Sequence, residues 1–196
     1  GFKKRIKFLK SSYFLDEIIF KNGDVVIDCG ANNGDLSLCF NKKINYYGVE
    51  ASPFVFSNLK FNLLNKNIIN KGLWKKRKKK IKFFLKDEGG DSSITKMNDF
   101  IKVINIETIT LDDLINRINK KIKLIKIDGE GSEPEILEGL KKKIHLVSYI
   151  SIDMGFERGK EQRSTFKQCK KYLNNKNFKL IKFNQNRYTG LFKKIN

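Results

Sequence analysis

The segment Val25–Gly34 joins a short strand to a glycine-containing loop and is the first part of the chain that could do chemistry. Val25–Cys29 is apolar apart from Asp28, which is typical of a buried strand. Gly30 and Gly34 follow, and glycine lets a backbone approach a ligand closely. The loop lacks the Gly-x-Gly-x-x-Gly spacing that holds a pyrophosphate. The carboxylate of Asp28 instead favours a ligand that carries positive charge and no phosphate.

A second acidic residue, Glu50, ends the next predicted strand, Tyr46–Glu50, and follows Asp28 by 22 positions (50 − 28). In doubly wound α/β folds an acidic residue at this place accepts hydrogen bonds from ribose hydroxyls. Both strand ends reach the carboxyl edge of one parallel sheet, so the two carboxylates are expected to face one crevice. S-adenosylmethionine (SAM) satisfies both requirements, because it has a ribose, an ammonium group and a sulfonium group.

Another strongly apolar strand, predicted over Ile122–Asp128, ends at Asp128 and is followed by Glu130, and these two acids alternate with Gly129 and Gly131. They are expected at the same edge of the sheet as the first two carboxylates. There they could position a substrate hydroxyl, act as a general base or bind a metal. The residues themselves leave these roles open, and we assign no metal ligand.

The predicted strand over Leu146–Asp153 brings further charged residues towards the crevice. The candidates for binding an acceptor substrate in this part of the chain are Asp153, Glu157, Arg158, Arg163 and Arg187. A guanidinium group grips phosphate in a forked geometry, so the arginines are candidate contacts for an anionic acceptor. The competing interpretation is that these charges cover a solvated surface.

Strands and helices must alternate to hold these residues, and the apolar pattern predicts such an alternation. The other predicted helices are Leu36–Lys42, Pro53–Leu64, Leu111–Ile118, Glu133–Lys142 and Ser164–Asn174, and the other predicted strands are Ile68–Trp74, Ile81–Leu85, Ile101–Ile106, Phe178–Phe183 and Thr189–Lys193. Thr110 is suited to cap the third of these helices, and Ser132 with Glu135 forms a capping-box pattern for the fourth.

One domain over residues 1–196 is the economical organisation of this chain. Within it, residues 1–20 form a helical or extended lead-in. Residues 75–106 interrupt the alternation as a β insertion, with a polar loop over Asp87–Ser93 that we expect to be mobile. The remaining alternation predicts an α/β fold with a parallel sheet.

Composition limits the possible functions. The net charge of +20 would suit RNA or an anionic membrane surface, but lysine, asparagine and isoleucine crowd every part of the chain, so residue bias is the favoured explanation. Three widely spaced cysteines and one histidine, His145, argue against a disulfide framework and against zinc sites built from them. A reducing, cytoplasmic location is the simple interpretation. No apolar run is long enough to span a bilayer.

In order and spacing the motifs resemble those of the FkbM-type SAM-dependent O-methyltransferases, over roughly residues 22–193. The matching stretches are Val26–Gly34, Glu50–Pro53, Thr110–Leu114, Ile125–Glu133, Ser151–Asp153 and Thr189–Phe192. The resemblance implies the Rossmann-like class I methyltransferase fold, a mostly parallel seven-stranded sheet with helices on both faces and a terminal antiparallel strand. It also implies methyl transfer from SAM, with S-adenosylhomocysteine as product, usually to a hydroxyl of a sugar or natural product.

The resemblance further implies roles for individual residues. Those expected around the cofactor are Asp28, Gly30, Asn32 and Gly34 at the methionine part, Glu50 at the ribose, and Ser92, Ser93 and Asp128 nearby. Asp128 and Glu130 are expected beside the transferred methyl group and are the catalytic candidates. The family pattern does not decide which of them is the base.

The favoured interpretation is O-methylation of a hydroxyl on a sugar or sugar-like metabolite, free or nucleotide-linked, as in a surface-glycan precursor. An RNA ribose 2′-O-methyltransferase is the first alternative, and a steep salt dependence of RNA binding would favour it. Base methyltransferases are disfavoured because the Asn/Asp-Pro-Pro-aromatic motif and a Pro-Cys nucleophile are missing. A nucleotide-binding module and a catalytically silent interaction protein are the alternatives from other classes.

Overall fold

A computed structural model describes residues 1–64, 67–86, 91–96 and 98–195 of the chain. Its strands are β1 Val25–Cys29, β2 Asn45–Glu50, β3 Asn67–Asn70, β4 Gly72–Leu73, β5 Lys78–Leu85, β6 Lys102–Ile109, β7 Ile122–Ile127, β8 Val147–Asp153, β9 Phe178–Asn184 and β10 Thr189–Lys194. Its helices are α1 Phe2–Ser12, α2 Pro53–Asn62, α3 Leu111–Ile118, α4 Glu133–Glu138 and α5 Phe166–Asn174. None of the described helices is both long and apolar enough to cross a membrane.

Seven strands form the central sheet in the order β3-β2-β1-β7-β8-β10-β9. The first five are parallel to their neighbours, while β10 runs antiparallel to both β8 and β9. This architecture confirms the predicted Rossmann-like sheet with its terminal antiparallel strand. The strand order reverses at β1 and β7, and the crevice outside the carboxyl ends at such a point is where α/β sheets bind ligands.

Helices cover both faces of the sheet, as predicted. Residues of α3, α4 and α5 pack with Val25 and Ile27 of β1 in one apolar core. Residues of α1 and α2 pack with Val26 and Leu124 in a second core on the opposite face. Because side chains alternate across a strand, Asp28 and Lys126 point to the α1 side of the sheet, together with Val26 and Leu124.

The predicted β insertion forms a separate three-stranded sheet in the order β4-β6-β5. The prediction of one strand over Ile68–Trp74 was wrong: the chain leaves the central sheet after Asn70 and joins the insertion at Gly72. The Asn70 side-chain amide donates to the Glu50 carbonyl oxygen at 2.9 Å, and this contact fixes the point of departure. Of the predicted loop over Asp87–Ser93, residues 87–90 lie outside the described residues.

The predicted helix caps and helix bounds were confirmed for α3 and were wrong at two other places. α3 begins at a capping box in which the Thr110 hydroxyl accepts from the Asp113 amide and the Asp113 carboxylate accepts from the Thr110 amide. For α4 the expected Ser132–Glu135 box was wrong, because Ser132 makes no side-chain cap and the helix ends at Glu138. The predicted helix over Leu36–Lys42 was also wrong: Asp35–Cys39 is a 3₁₀ helix.

Candidate functional site

A cleft of about 910 Å³ opens at the carboxyl edge of β1, β2 and β7. Its walls come from the loop after β1, the end of β2, the loop after β7, the insertion and α1. Residues that the sequence singled out and that line this cleft are Asp28, Gly30, Asn32, Glu50, Ser92, Ser93, Asp128 and Glu130. The fold therefore brings together side chains from three strand ends and the insertion.

Gly30 packs directly against the loop after β7. Its φ is +72°, and a Cβ built there would lie 2.1 Å from the carbonyl oxygen of Asp128. No residue with a side chain fits that position without moving the loop after β7. Gly34 was also predicted at the cofactor, but it does not line the cleft. It precedes the 3₁₀ helix, and a Cβ there would lie 2.7 Å from the side chain of Leu63.

Glu50 ties the loops after β1 and β2 together. Its carboxylate accepts from the Asn32 amide at 3.0 Å and from the Ser52 amide at 2.9 Å. Burial raises the pKa of Glu50, against the opposing effect of these two hydrogen bonds. The arrangement holds an acceptor-rich group at the position where doubly wound folds bind ribose hydroxyls.

A buried charge network lies beneath the cleft and includes a residue that the sequence analysis missed, Lys126. Its Nζ lies 3.1 Å from Asp28 Oδ1, an ionic contact without hydrogen-bond geometry, and 3.7 Å from Asp128 Oδ2. It also donates to the Gly30 carbonyl at 2.7 Å. Burial lowers the pKa of Lys126, but the carboxylates of Asp28 and Asp128 outweigh that effect and raise it, so the lysine stays charged.

Two tyrosines complete this network. Tyr46 donates from its hydroxyl to Asp28 Oδ2 at 2.5 Å, and Tyr13 donates to Asp128 Oδ2 at 2.6 Å. Lys126 Nζ lies 5.1 Å from the centre of the Tyr13 ring. Burial, followed by the charge of Asp128, raises the pKa of Tyr13, so its hydroxyl remains a donor.

From the sequence alone, Lys126 could have been identified as a member of this network, but Tyr13 could not. A lysine inside the apolar run of β7 has no place in a buried strand unless it is paired. Tyr13, by contrast, lies just after α1, 115 positions before Asp128, and nothing in its local pattern marks it.

The insertion is fastened to the loop after β7 by hydroxyl groups. Ser93 donates from its hydroxyl to the Glu130 carbonyl at 2.6 Å and lies 3.3 Å from the Ser132 hydroxyl. Thr95 also contacts the Ser132 hydroxyl, at 3.2 Å. Ser132 therefore links the loop to the insertion, which explains why its hydroxyl does not cap α4.

A second cavity, of about 890 Å³, adjoins the first, with Asp128 and Glu130 lining both. Three of the predicted acceptor-binding residues line it: Asp153, Glu157 and Arg187. Phe156 also lines it, with 54% of its surface exposed, and stacks edge-on against Tyr188. Asp128 and Glu130 therefore form a wall that the two cavities share.

Arg158 and Arg163 are not among the described residues that line either cavity, so the cavities give no support to the prediction that they contact the acceptor. The Arg158 guanidinium donates to both carboxylate oxygens of Glu135, at 2.8 and 2.6 Å, and to the Gly131 carbonyl. Arg163 pairs with Glu161 on the surface. A guanidinium engaged by three oxygens has little capacity left for a phosphate.

Glu133 is a further missed residue, and its role is to shape the loop after β7. It is buried, and its Oε1 accepts from the Gly129 and Gly131 amides, both at 3.0 Å. Its Oε2 accepts from the Thr165 hydroxyl at 3.0 Å. These bonds fix the backbone that carries Asp128 and Glu130.

The sequence model of the methyltransferase FkbM domain matches residues 28–180, more than half of the chain. No curated protein matches the sequence. Several solved structures share the fold at low identity. A putative rRNA-methylase from Clostridium thermocellum is 14% identical, with coverage of 96% of this chain and 97% of that one and a TM-score of 0.54.

Two further structures have a similar relationship to this chain. Aeropyrum pernix fibrillarin, crystallised with natively bound SAM, is 12% identical, with coverage of 94% and 73% and a TM-score of 0.52. A SAM-dependent methyltransferase from Aquifex aeolicus is 15% identical, with coverage of 96% and 95% and a TM-score of 0.50. At these identities the likeness concerns the fold alone.

Proposed function

This chain belongs to the FkbM methyltransferase family, and from that premise we propose that it methylates a hydroxyl of a sugar or sugar-like metabolite, such as a surface-glycan precursor. SAM dependence comes with the family, so SAM is the methyl donor. The proposal adds that oxygen receives the methyl group and that a sugar carries that oxygen.

The observation that carries the proposal is the character of the second cavity. It combines several carboxylates with the exposed ring of Phe156. Carboxylate oxygens accept hydrogen bonds from sugar hydroxyls, and an aromatic ring packs against the apolar face of a sugar ring. The cavity meets the cleft at Asp128 and Glu130, so a hydroxyl bound there would lie close to the donor.

The residues of the cleft fit SAM by their chemistry. Gly30 lets the loop after β1 pack against Asp128 at the floor of the cleft, and the Glu50 carboxylate is available to ribose hydroxyls. Asp28 and Asp128 supply negative charge near a cationic ligand, although Asp28 is also neutralised by Lys126. When bound, SAM supplies an electrophilic methyl group.

Asp128 is the residue that we propose to orient the acceptor hydroxyl and receive its proton. Tyr13 and Lys126 both contact its Oδ2, which fixes the side chain and leaves Oδ1 for the acceptor. Burial, and then the charges of Asp128 and Glu157, raise the pKa of Glu130 to about 9, so Glu130 holds a proton near neutral pH. We therefore propose that Glu130 acts as a hydrogen-bond donor to the acceptor and that Asp128 is the base.

Two measurements test the function. Isothermal titration with SAM and S-adenosylhomocysteine, with NAD as the control, should give micromolar binding of the two sulfur ligands alone. Transfer of a labelled methyl group from SAM to a panel of sugars should then give an O-methylated product. At saturating SAM, Asp128→Asn should lose about 100-fold or more in kcat.

Other outcomes would reject parts of the proposal. No binding of either sulfur ligand by the folded protein would favour the silent interaction module. Methylation of RNA in place of any sugar would favour the ribose 2′-O alternative. The acidic second cavity argues against that alternative, because a polyanion would meet like charge beside the donor. Full turnover by Asp128→Asn would remove Asp128 as the base.

A further inference from the structure

The second cavity has a charge opposite to that of the whole chain. The chain carries a net charge of +20, yet among the described residues that line this cavity six are acidic: Asp91, Asp99, Asp128, Glu130, Asp153 and Glu157. Two of the described lining residues are basic, Lys86 and Arg187. Residue bias towards lysine explains a basic surface, but it cannot explain a local excess of acids.

Both basic residues of the cavity are already paired. Lys86 Nζ lies 3.7 Å from Asp91, and an Arg187 nitrogen lies 3.5 Å from Asp153. Arg187 also lies over the ring of Phe8, at 5.0 Å from its centre. The cavity therefore offers a bound molecule more acceptors and negative charge than free cations.

We propose that the acceptor is an amino sugar, whose protonated amine binds among the carboxylates of the second cavity while its hydroxyl is methylated. This inference rests on the proposed function, since it names the class of sugar that the same site takes. It replaces the expectation of an anionic acceptor.

Two independent observations mark the cavity as a ligand site in addition to its acidity. It shares Asp128 and Glu130 with the cleft as lining residues, and a methyltransferase needs an acceptor beside its methyl donor. In addition, Phe156 presents a half-exposed aromatic ring to the cavity, held in place by the edge-on contact with Tyr188. An isolated acidic patch on the surface would have neither feature.

The carboxylates of the cavity repel one another, and a cation would relieve that repulsion. Burial, and then the charges of Asp153 and Asp128, raise the pKa of Glu157 to about 7. Burial and Asp128 likewise raise the pKa of Asp153. A bound ammonium group favours the ionised carboxylates, so we expect binding to release protons from the protein near pH 7.

The test compares free amino sugars with derivatives in which the amine is acylated and uncharged or a phosphate is added. Each of glucosamine, galactosamine and mannosamine is assayed beside its N-acetyl form and its 6-phosphate, with labelled SAM at about pH 6.5, where the amine is protonated. We expect kcat/KM for at least one free amino sugar to exceed that of its N-acetyl form about tenfold, and that of its phosphate by more.

A pair of variants shows whether the cavity causes the preference. Glu157→Gln should reduce the preference for the amine over the N-acetyl form several-fold. Glu161→Gln changes the same kind of residue on the same loop, but Glu161 pairs with Arg163 outside the cavity, so the preference should be unchanged. Titration of the amino sugar in buffers of different ionisation enthalpy should detect the released protons.

The failures of the two proposals are distinguishable. Equal or faster methylation of the N-acetyl or phosphorylated sugars would overturn the amino-sugar inference while leaving sugar O-methylation intact. Methylation of none of these sugars by a protein that binds SAM would overturn both. A preference for the amine that survives in Glu157→Gln and falls in Glu161→Gln would also reject the inference.

Discussion

Removing the buried charge of Lys126 is the sharpest perturbation that the structure offers. The side chains of Lys126 and Asp28 are 6% and 1% exposed, and their charged atoms are 3.1 Å apart. At an effective dielectric constant of about 20, two unit charges at that distance attract by about 5 kcal/mol. Lys126→Met would leave Asp28 buried without its cation. We expect it to lower the free energy of unfolding by about 3–5 kcal/mol.

A double-mutant cycle separates this interaction from simple loss of packing. Asp28→Asn removes the charge that needs compensation, so Lys126→Met should cost at least about 2 kcal/mol less in that background. The assay is urea unfolding of the four proteins at about pH 7.5. Lys121→Met is the matched control, since Lys121 is exposed just before β7 and should change stability by less than about 0.5 kcal/mol.

The pH dependence provides an independent check. Without Lys126, burial holds the folded-state pKa of Asp28 above its unfolded value of about 3.9. The protonated form of Asp28 then favours the folded state, so the stability that this one residue contributes to the variant is full below about pH 4 and is lost as pH rises through the folded pKa. The penalty of Lys126→Met should therefore shrink in acid, and this trend should vanish with Asp28→Asn. Additive costs in the cycle, or a penalty below about 1 kcal/mol, would refute the reasoning.

Three further predictions concern the walls of the site. Tyr13→Phe removes a hydrogen bond to Asp128 and should lower kcat about tenfold, while titration should show a Kd for SAM changed less than about threefold. A weakened Kd for SAM with an unchanged kcat would contradict a positioning role for Tyr13. Gly30→Ala should cost at least about 2 kcal/mol more than Gly23→Ala in urea unfolding, since both have positive φ but only Gly30 lies against Asp128. Arg158→Met should destabilise the fold by about 1.5–3 kcal/mol without raising the acceptor KM, and a raised KM would return Arg158 to the acceptor site.

Much of the fold followed from local patterns in the sequence. β1 and α3 have the bounds that their apolar periodicity and capping residues predict. The acidic residues at the ends of β1, β2 and β7 were expected at one edge, because the carboxyl ends of parallel strands share an edge. This rule was enough to predict that Asp28, Glu50 and Asp128 lie close together, and all three line the cleft.

What the sequence could not decide depends on partners far apart along the chain. The sequence predicted Arg158 as a cation available to a substrate, but in the fold its guanidinium pairs with Glu135. The sequence predicted Ser132 as a helix cap, but in the fold its hydroxyl lies against that of Ser93. Tyr13 carried no local signal at all, although its hydroxyl holds Asp128.

The physical reason is that a backbone pattern fixes which residues reach an edge, whereas the tertiary structure fixes what each side chain contacts there. Periodicity and turn residues act over a few positions, so they determined the strands, the glycine loop and the row of acids. Charge pairing acts through space. Only the folded chain could place Lys126 between two carboxylates and concentrate six acids in one cavity of a basic protein.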